Sequence, residues 1–316
     1  MRSFLKTLLF LIAGTAFAQP YPSKPIRVIV PFSPGGPVDV VMRLLSPKMT
    51  EMLGQPLVIE NKTGAGGNLG VQQAARAPAD GYTVLATSSS FAVNPALTPD
   101  AGYNPEKDFI AVAVVASQPN FIVVNAAFPA RTLAELLQMA RTQKLAFASP
   151  SSGTTPHLTA ENLFKVRAKV DITHVPFRGA GPAVAAVLGG EPPIGSMAGT
   201  APMPHLRSGK LRALAVSSSK RLASLPDVPT LNELGYPDME DYTWVGLFLP
   251  AGTPAAIAQK LNDAVIRTVQ SADIRERLDG LTFEPTAAPL RETADYVKSE
   301  LVKWAKVVRD TGAKAE

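Results

Sequence analysis

The chain has 316 residues, 46% of them hydrophobic and 18% charged, with 29 prolines and no cysteine. That length suggests two domains, and the composition is that of a chain that buries a core rather than a disordered one. The missing cysteine excludes disulfides, thiolate metal sites, a cysteine nucleophile and a lipid-modified N-terminal cysteine, and a net charge of +5 without a basic run gives no case for nucleic acid.

The first stretch, MRSFLKTLLFLIAGTAFA, carries Arg2 and Lys6, then an apolar run over 8–13, and ends in Ala16-Phe17-Ala18. This is the pattern of an export signal cleaved after Ala18. Its apolar run is too short to span a bilayer, and the later run 109–116 has only strand length. Removing Arg2 and Lys6 with the signal lowers the net charge from +5 to +3. An exported chain with no lipid attachment point fits a Gram-negative periplasm.

The β-rich run 26–30 is closed by Pro31 and reads as a strand. Pro37 then suits a first helical position, and Val38, Val41, Leu44, Leu45 and Met52 recur at helical spacing. A strand at 57–59, a glycine loop at 64–67, a helix from 68 to 77 and a strand at 83–86 follow, with Ser88-Ser89-Ser90 at its end. A second set begins with strands at 109–116 and 121–124, then a helix over 133–141 capped by Thr132. Strands at 145–148, 172–177, 211–216 and 244–249 follow, with helices at 156–164, 182–188, 254–269 and 292–309. Repeated strand–loop–helix units predict an α/β fold whose sheets are mixed but mostly parallel, with flanking helices. Crossings near 117–124 and 238–247 divide the chain into a first domain, 19–120 plus 247–316, and a second, 121–246. Two crossings make a hinge, with a ligand cleft between the domains, as in a type II-like periplasmic-binding-protein clamshell.

In open α/β sheets ligands sit at the carboxyl ends of the strands, and here those ends are polar and glycine-rich. In PFSPGG, residues 31–36, the prolines stiffen the turn, while the loop amides and the following helix N-terminus suit an anion. A plain strand-to-helix turn is the other reading of any one such loop; four on one rim favour binding. Asp39 in the first helical turn stabilises the helix in any case, and that role is favoured over a ligand contact. Gly64-Ala65-Gly66-Gly67 fails as a dinucleotide fingerprint because Leu69 stands where a third glycine belongs. Ser151, Ser152, Thr154 and Thr155 precede a helix that needs only one cap, so the others are spare hydroxyls for a ligand. Arg178 can clamp a carboxylate or lie on a solvated surface. Phe32, Phe91 and Phe177 suit an aliphatic or aromatic acid. No Gly-x-Ser-x-Gly, no phosphate P-loop and no metal spacing among His157, His174 and His205 is present. An enzyme, a metal and a cofactor are therefore not expected.

Long stretches, among them YPSKPIRVIVPFSPGGPVDVVMRLL, VIENKTGAGGNLGVQQAARAPADGYTVL, SGTTPHLTAENLF, VPFRGAGPAVAAVLGG, PHLRSGKLRALAVSS and LPDVPTLNELGYP, resemble the Bug-type solute receptors of tripartite tricarboxylate transporters. The resemblance covers nearly all of the chain after the signal. It implies a monomeric periplasmic clamshell that closes on a small carboxylate and delivers it to membrane permease subunits. It also implies that the first loop, at Phe32, Ser33, Pro34, Gly35 and Gly36, holds the carboxylate largely by its N–H groups, of which Pro34 has none, with ordered water. Matching second-domain loops point to 151–155 and to Arg178 and Gly179. By their place on the same rim, Asp39, Gly66, Ser88 and Ser89 join the candidate ligand-binding residues. One departure is Glu191-Pro192-Pro193-Ile194-Gly195-Ser196-Met197, where relatives often continue with a Val-Asp-like strand; the segment 197–200 is expected to face the cleft, adding Met197 and Thr200. Three or four charge-assisted hydrogen bonds at roughly 1.5–3 kcal/mol each supply most of the roughly 8 kcal/mol of micromolar binding. The competing readings are a secreted enzyme acting on small carboxylic acids and a sensor subunit presenting a bound acid to a membrane kinase.

Overall fold

The structure is a computed structural model that describes residues 21–98 and 100–315. The export signal and its cleavage after Ala18 lie outside these residues.

β1 (Ile26–Val30) is buried along nearly its whole length, as a parallel strand covered on both faces must be. It pairs in parallel with β2 (Leu57–Asn61) and β3 (Thr83–Ser88). Between β1 and β2 runs α1 (Pro37–Leu53), opened by proline and closed by Gly54 in the left-handed region, whose N–H reaches Thr50 O at 2.9 Å. A short 3-10 turn leads into α2 (Asn68–Ala75). The serine run after β3 opens a helix that sequence reading did not expect, α3 (Ser90–Leu97), and α4 (Pro105–Asp108) is a single turn.

The two strands expected at 109–116 and 121–124 are one, β4 (Phe109–Asn125), 17 residues long. The chain continues through α5 (Leu133–Ala140), β5 (Leu145–Ser149), α6 (Thr155–Glu161), β6 (Ile172–Pro176), α7 (Ala180–Gly189), β7 (Ile194–Ala198), α8 (Met203–Arg207) and β8 (Leu211–Val216). It ends with β9 (Tyr242–Pro250), α9 (Ala255–Gln270), α10 (Ala272–Gly280), β10 (Glu284–Pro285) and α11 (Leu290–Thr311). Thr132 caps α5 by accepting from Glu135 N at 3.2 Å, while Glu135 accepts from Arg131 N.

The strand order β2-β1-β3-β9-β4-β7-β5-β6 has β4 at its centre. From Phe109 to Pro119, β4 pairs antiparallel with β9, and β10 lies against Ala116 and Ser117. From Asn120 or Phe121 onward its neighbours are β7 and β8. Pro119 falls where β4 changes neighbours, so its missing N–H interrupts neither ladder. The sequence boundary at 246 puts Tyr242–Gly246 in the second unit, but they pair with the first sheet through β4 and β3. β7 forms despite its proline- and glycine-rich approach. All five of its residues are buried, and a Cβ on Gly195 would stand 2.7 Å from Met197 Cε.

Each sheet has an apolar cluster on either face. α11 covers one face of the first sheet with Val297, Trp304 and Val308, beside Leu158 of α6. Burying an aromatic of that size contributes about 4–6 kcal/mol by area. The indole N–H groups of Trp244 and Trp304 both donate to Glu300 Oε2, at 2.9 Å each. Glu300→Ala orphans both buried donors, so urea unfolding should register a loss of about 2–5 kcal/mol, and Glu300→Gln should recover much of it.

Candidate functional site

The loop after β1 rests on its own carboxylate. Asp39 Oδ2 accepts from Gly35 N and Arg43 Nε, both at 2.9 Å, and Oδ1 accepts from Asn61 Nδ2 at 3.0 Å. The same Asn61 amide donates to Phe32 O at 2.9 Å. Burial pushes the Asp39 carboxyl up, but the bonds from Arg43, Gly35 and Asn61 and the Arg43 charge outweigh it and hold it below the usual carboxylate range. Asp39 thus faces the loop rather than a ligand. Gly35 has φ +79, the left-handed turn that glycine adopts without strain. Ser33, Pro34 and Gly35 are exposed, and the first amides of α1 have no acceptor within the helix.

The rims of the two sheets face each other. A Cβ built on Gly179 would be 3.9 Å from Ser33 Oγ. One on Gly66 would be 3.3 Å from Ser152 O. Ser89 Oγ lies 3.0 Å from Thr155 Oγ1, which lies 2.7 Å from Thr243 Oγ1. Thr243 donates to Asn120 Oδ1 at 2.9 Å, and Asn120 Nδ2 reaches Thr159 Oγ1 at 3.1 Å. Ser152 Oγ is buried with no hydrogen-bond partner among the described residues.

Beneath the loop 149–155 lies a pair of histidines. The rings of His157 and His174 stack at 3.9 Å between centroids. Gly153 N donates to His157 Nδ1 at 3.3 Å, and Ser149 Oγ lies 2.7 Å from His174 Nε2. Burial first, then the charge of Lys165, draws His174 down to about 4; burial, His174 and Lys165 draw His157 lower still.

A family profile described as the tripartite tricarboxylate transporter family receptor matches residues 41–313. The chain belongs to this receptor family. It is 39% identical over 307 residues to Protein BugT of Bordetella pertussis, covering 96% of this chain and 94% of that one. Among solved structures, R. palustris Rpa4515 with adipate superposes with a TM-score of 0.88 at 31% identity, over 94% of this chain and all of that one. MatC from Rhodopseudomonas palustris with bound malate gives 0.85 at 36%, over 91% and all. The fold is that of the periplasmic binding proteins of this family, whose members are solute-binding receptors.

Against this receptor frame, the loops of the candidate residues come together in three pairs: Ser33 with Gly179, Gly66 with Ser152, and Ser89 with Thr155. Thr154 instead caps its own loop, donating to Ser151 O at 2.8 Å. Ser88 Oγ donates to Ser90 Oγ and accepts from Ser90 N, inside the start of α3. Met197 turns into the core of the second sheet with Phe121 and Val184, since β7 alternates and its side chain falls on the covered face. Thr200 N and Oγ1 both donate to Gln118 Oε1 at 2.7 Å. Arg178 is exposed and has no ion pair among the described residues. Phe91 lies in an aromatic cluster, 4.3 Å from Phe248 and 5.5 Å from Tyr103, and does not line the cleft. Sequence reading missed Gln118, Asn120, Thr243 and Asn94. The amide of Asn94 donates to Gly66 O at 3.2 Å and to Asn68 Oδ1 at 2.8 Å.

Two outcomes follow from the loop 149–155. Gly153 has φ +77 and a Cβ there would run into Asn94 Oδ1, so Gly153→Ala should lower stability by about 2–4 kcal/mol in chemical denaturation. The unfolded chain protonates its histidines near 6.5, above the folded values. Stability is therefore complete above that pH and falls as pH drops through 6.5 toward 4. Melting curves over this range should show the fall, and His174→Gln should make it shallower, leaving the part that comes from the buried His157.

Proposed function

We propose that this receptor is a periplasmic clamshell that captures a small carboxylate and delivers it to permease subunits of a tripartite tricarboxylate-type transporter. One jaw is formed by residues up to about 119 with those from 242 on, and the other by those between. The observation that carries this reading is the apposition of strand-end loops from the two sheets, with Ser33 opposite Gly179 and Gly66 opposite Ser152. One carboxylate of the ligand is held at the loop 32–36 and the first turn of α1, where the N–H groups not already taken by Asp39 and Ser33 O meet the positive end of the helix. The adipate and malate held by two relatives support acids with two carboxylates as the class. Ser152 Oγ, buried and without a partner, is a further donor for the bound acid.

The test is a thermal-shift and calorimetric screen of residues 19–316 against aliphatic and aromatic mono- and dicarboxylates. An acid at a hundred times its Kd should raise stability by about 2.7 kcal/mol. Gly35→Val forces a branched side chain into the left-handed turn at φ +79, displaces the loop N–H groups and should weaken the best ligand by about 100-fold or more, as expected for losing charge-assisted hydrogen bonds. Unchanged affinity in a folded Gly35→Val protein sinks the assignment of this loop, and no stabilisation by any acid sinks the carboxylate reading.

A further inference from the structure

Gln118 lies in β4 at the turn from one sheet to the other and is fully buried. Its register partner on β9 is Thr243, and directly opposed residues in an antiparallel pair share a face. Thr243 reaches Thr155, and Thr155 reaches Ser89. Gln118 therefore belongs to the floor where the two rims meet, on the face the rims enclose.

Its amide has one possible orientation. Thr200 N can only donate, and it lies 2.7 Å from Oε1, as does Thr200 Oγ1. The oxygen is thereby committed to Thr200, and the amino end is turned away from it. That end, Nε2, is buried with no hydrogen-bond partner among the described residues. A buried donor left unpaired is rare in a folded protein. A second unpaired group stands close by: Thr282 Oγ1 is buried without a partner, and the missing Cβ of Gly199 is what lets it approach. Thr282 follows Leu281, whose carbonyl lies 3.4 Å from Thr200 Oγ1. An amide N–H and a hydroxyl thus flank Thr200. They are neutral donors, and what completes them is an acceptor group.

Resting on the receptor reading above, we infer that Gln118 Nε2, oriented by Thr200, donates to the second carboxylate of the bound acid and so selects dicarboxylates over monocarboxylates of the same length. An acid ending in a methyl group leaves this donor unpaired in a closed cleft, which is disfavoured by about 10- to 100-fold.

The experiment is calorimetric titration of residues 19–316 with adipate against hexanoate, and with malate against 2-hydroxybutyrate. The variants are Gln118→Glu, which keeps an acceptor for Thr200 but puts an anion in place of the donor, and Gln118→Met, which removes the donor without charge. Wild-type protein should prefer the diacids. Gln118→Glu should weaken them by about 100-fold or more and leave the monoacids within about threefold, and Gln118→Met should weaken the diacids about tenfold. Melting curves verify folding, and if Gln118→Glu does not fold, Gln118→Met decides. Diacid affinity within about threefold of wild type in the folded variant overturns the role of Gln118 while leaving the receptor reading standing. So does a wild-type protein that binds the monoacids as tightly as the diacids. A wild-type protein that binds none of the four acids, or any other carboxylate screened, overturns the receptor reading and the assignment with it.

Discussion

A single strand, β4, lies in both sheets, and every contact across the cleft depends on where it changes neighbours. At that point neither apolar core can cover it, so its side chains are polar and must be satisfied by each other. Asn120 does this in three directions: its backbone N–H donates to Ser217 Oγ at 2.8 Å, its Oδ1 accepts from Thr243 Oγ1, and its Nδ2 donates to Thr159 Oγ1. Thr159 in turn donates to Asp241 Oδ2 at 3.0 Å. The charge of Asp241 is answered by Lys303 of α11 at 2.8 Å. Burial draws the Lys303 ammonium down, but the charges of Asp241, Glu300 and Glu240 and the bond to Asp241 outweigh it and raise it, so it stays charged. The network therefore ties α11 to the return crossing as well as to the outgoing one. A polar network of this kind stiffens its surroundings only when every member is satisfied, which makes the unpaired amino end of Gln118 stand out from it.

Anion binding by a backbone loop sets a second constraint, because a carboxylate of the protein must not oppose the ligand. Asp39 is 2% exposed and one turn from the loop it braces. Its charge is covered by Arg43 Nε at 2.9 Å and is engaged by the loop itself through Gly35 N. The side chain therefore contributes loop geometry while its field at the cleft is offset by a neighbouring cation. Gly35 N is consumed in the process and Gly36 N donates to Ser33 O at 3.3 Å, which leaves the work of holding an anion to Ser33 N and the first turn of α1.

The parts of this structure visible in sequence are those with local signals. Pro37 at the start of α1, Thr132 before α5 and the glycine loop at 64–67 each carry a residue type that one local geometry demands. The loops of the cleft were legible for the same reason. Gln118 and Asn120 were not, although two amides within the apolar run 109–124 were the available signal. Their partners lie far away in the chain: Asn120 meets a residue 123 positions on. Asn94 was hidden likewise, as one amide in the apolar helix SFAVNPAL. Met197 and Phe91 were misjudged because strand alternation and an aromatic cluster decide which way they turn, and neither can be read from a neighbouring glycine or serine. Sequence reading assigned no strand at 194–198. Glycine and proline weaken a strand on their own, but burial between β4 and β5 holds β7 in place.

The bonds that join the rims are weak, and this bears on how a receptor opens and closes. Ser89 with Thr155 is a hydroxyl–hydroxyl contact, and Thr155 with Thr243 is another. Neutral bonds of this kind contribute about 0.5–1.5 kcal/mol each, so they hold an empty cleft shut only marginally. Moving a two-state equilibrium from mostly open to mostly closed takes about 5.5 kcal/mol of preference for the closed form. Three charge-assisted bonds at about 1.5–3 kcal/mol each reach that figure only if most of them form on closure. A ligand held by the first loop alone binds both forms equally and shifts nothing. Closure is driven by whatever touches the ligand from the other jaw or the floor. The buried Ser152 hydroxyl is placed to do that from the second jaw, and Gln118, on the first, does so only through Thr200 of the second, which orients its amide.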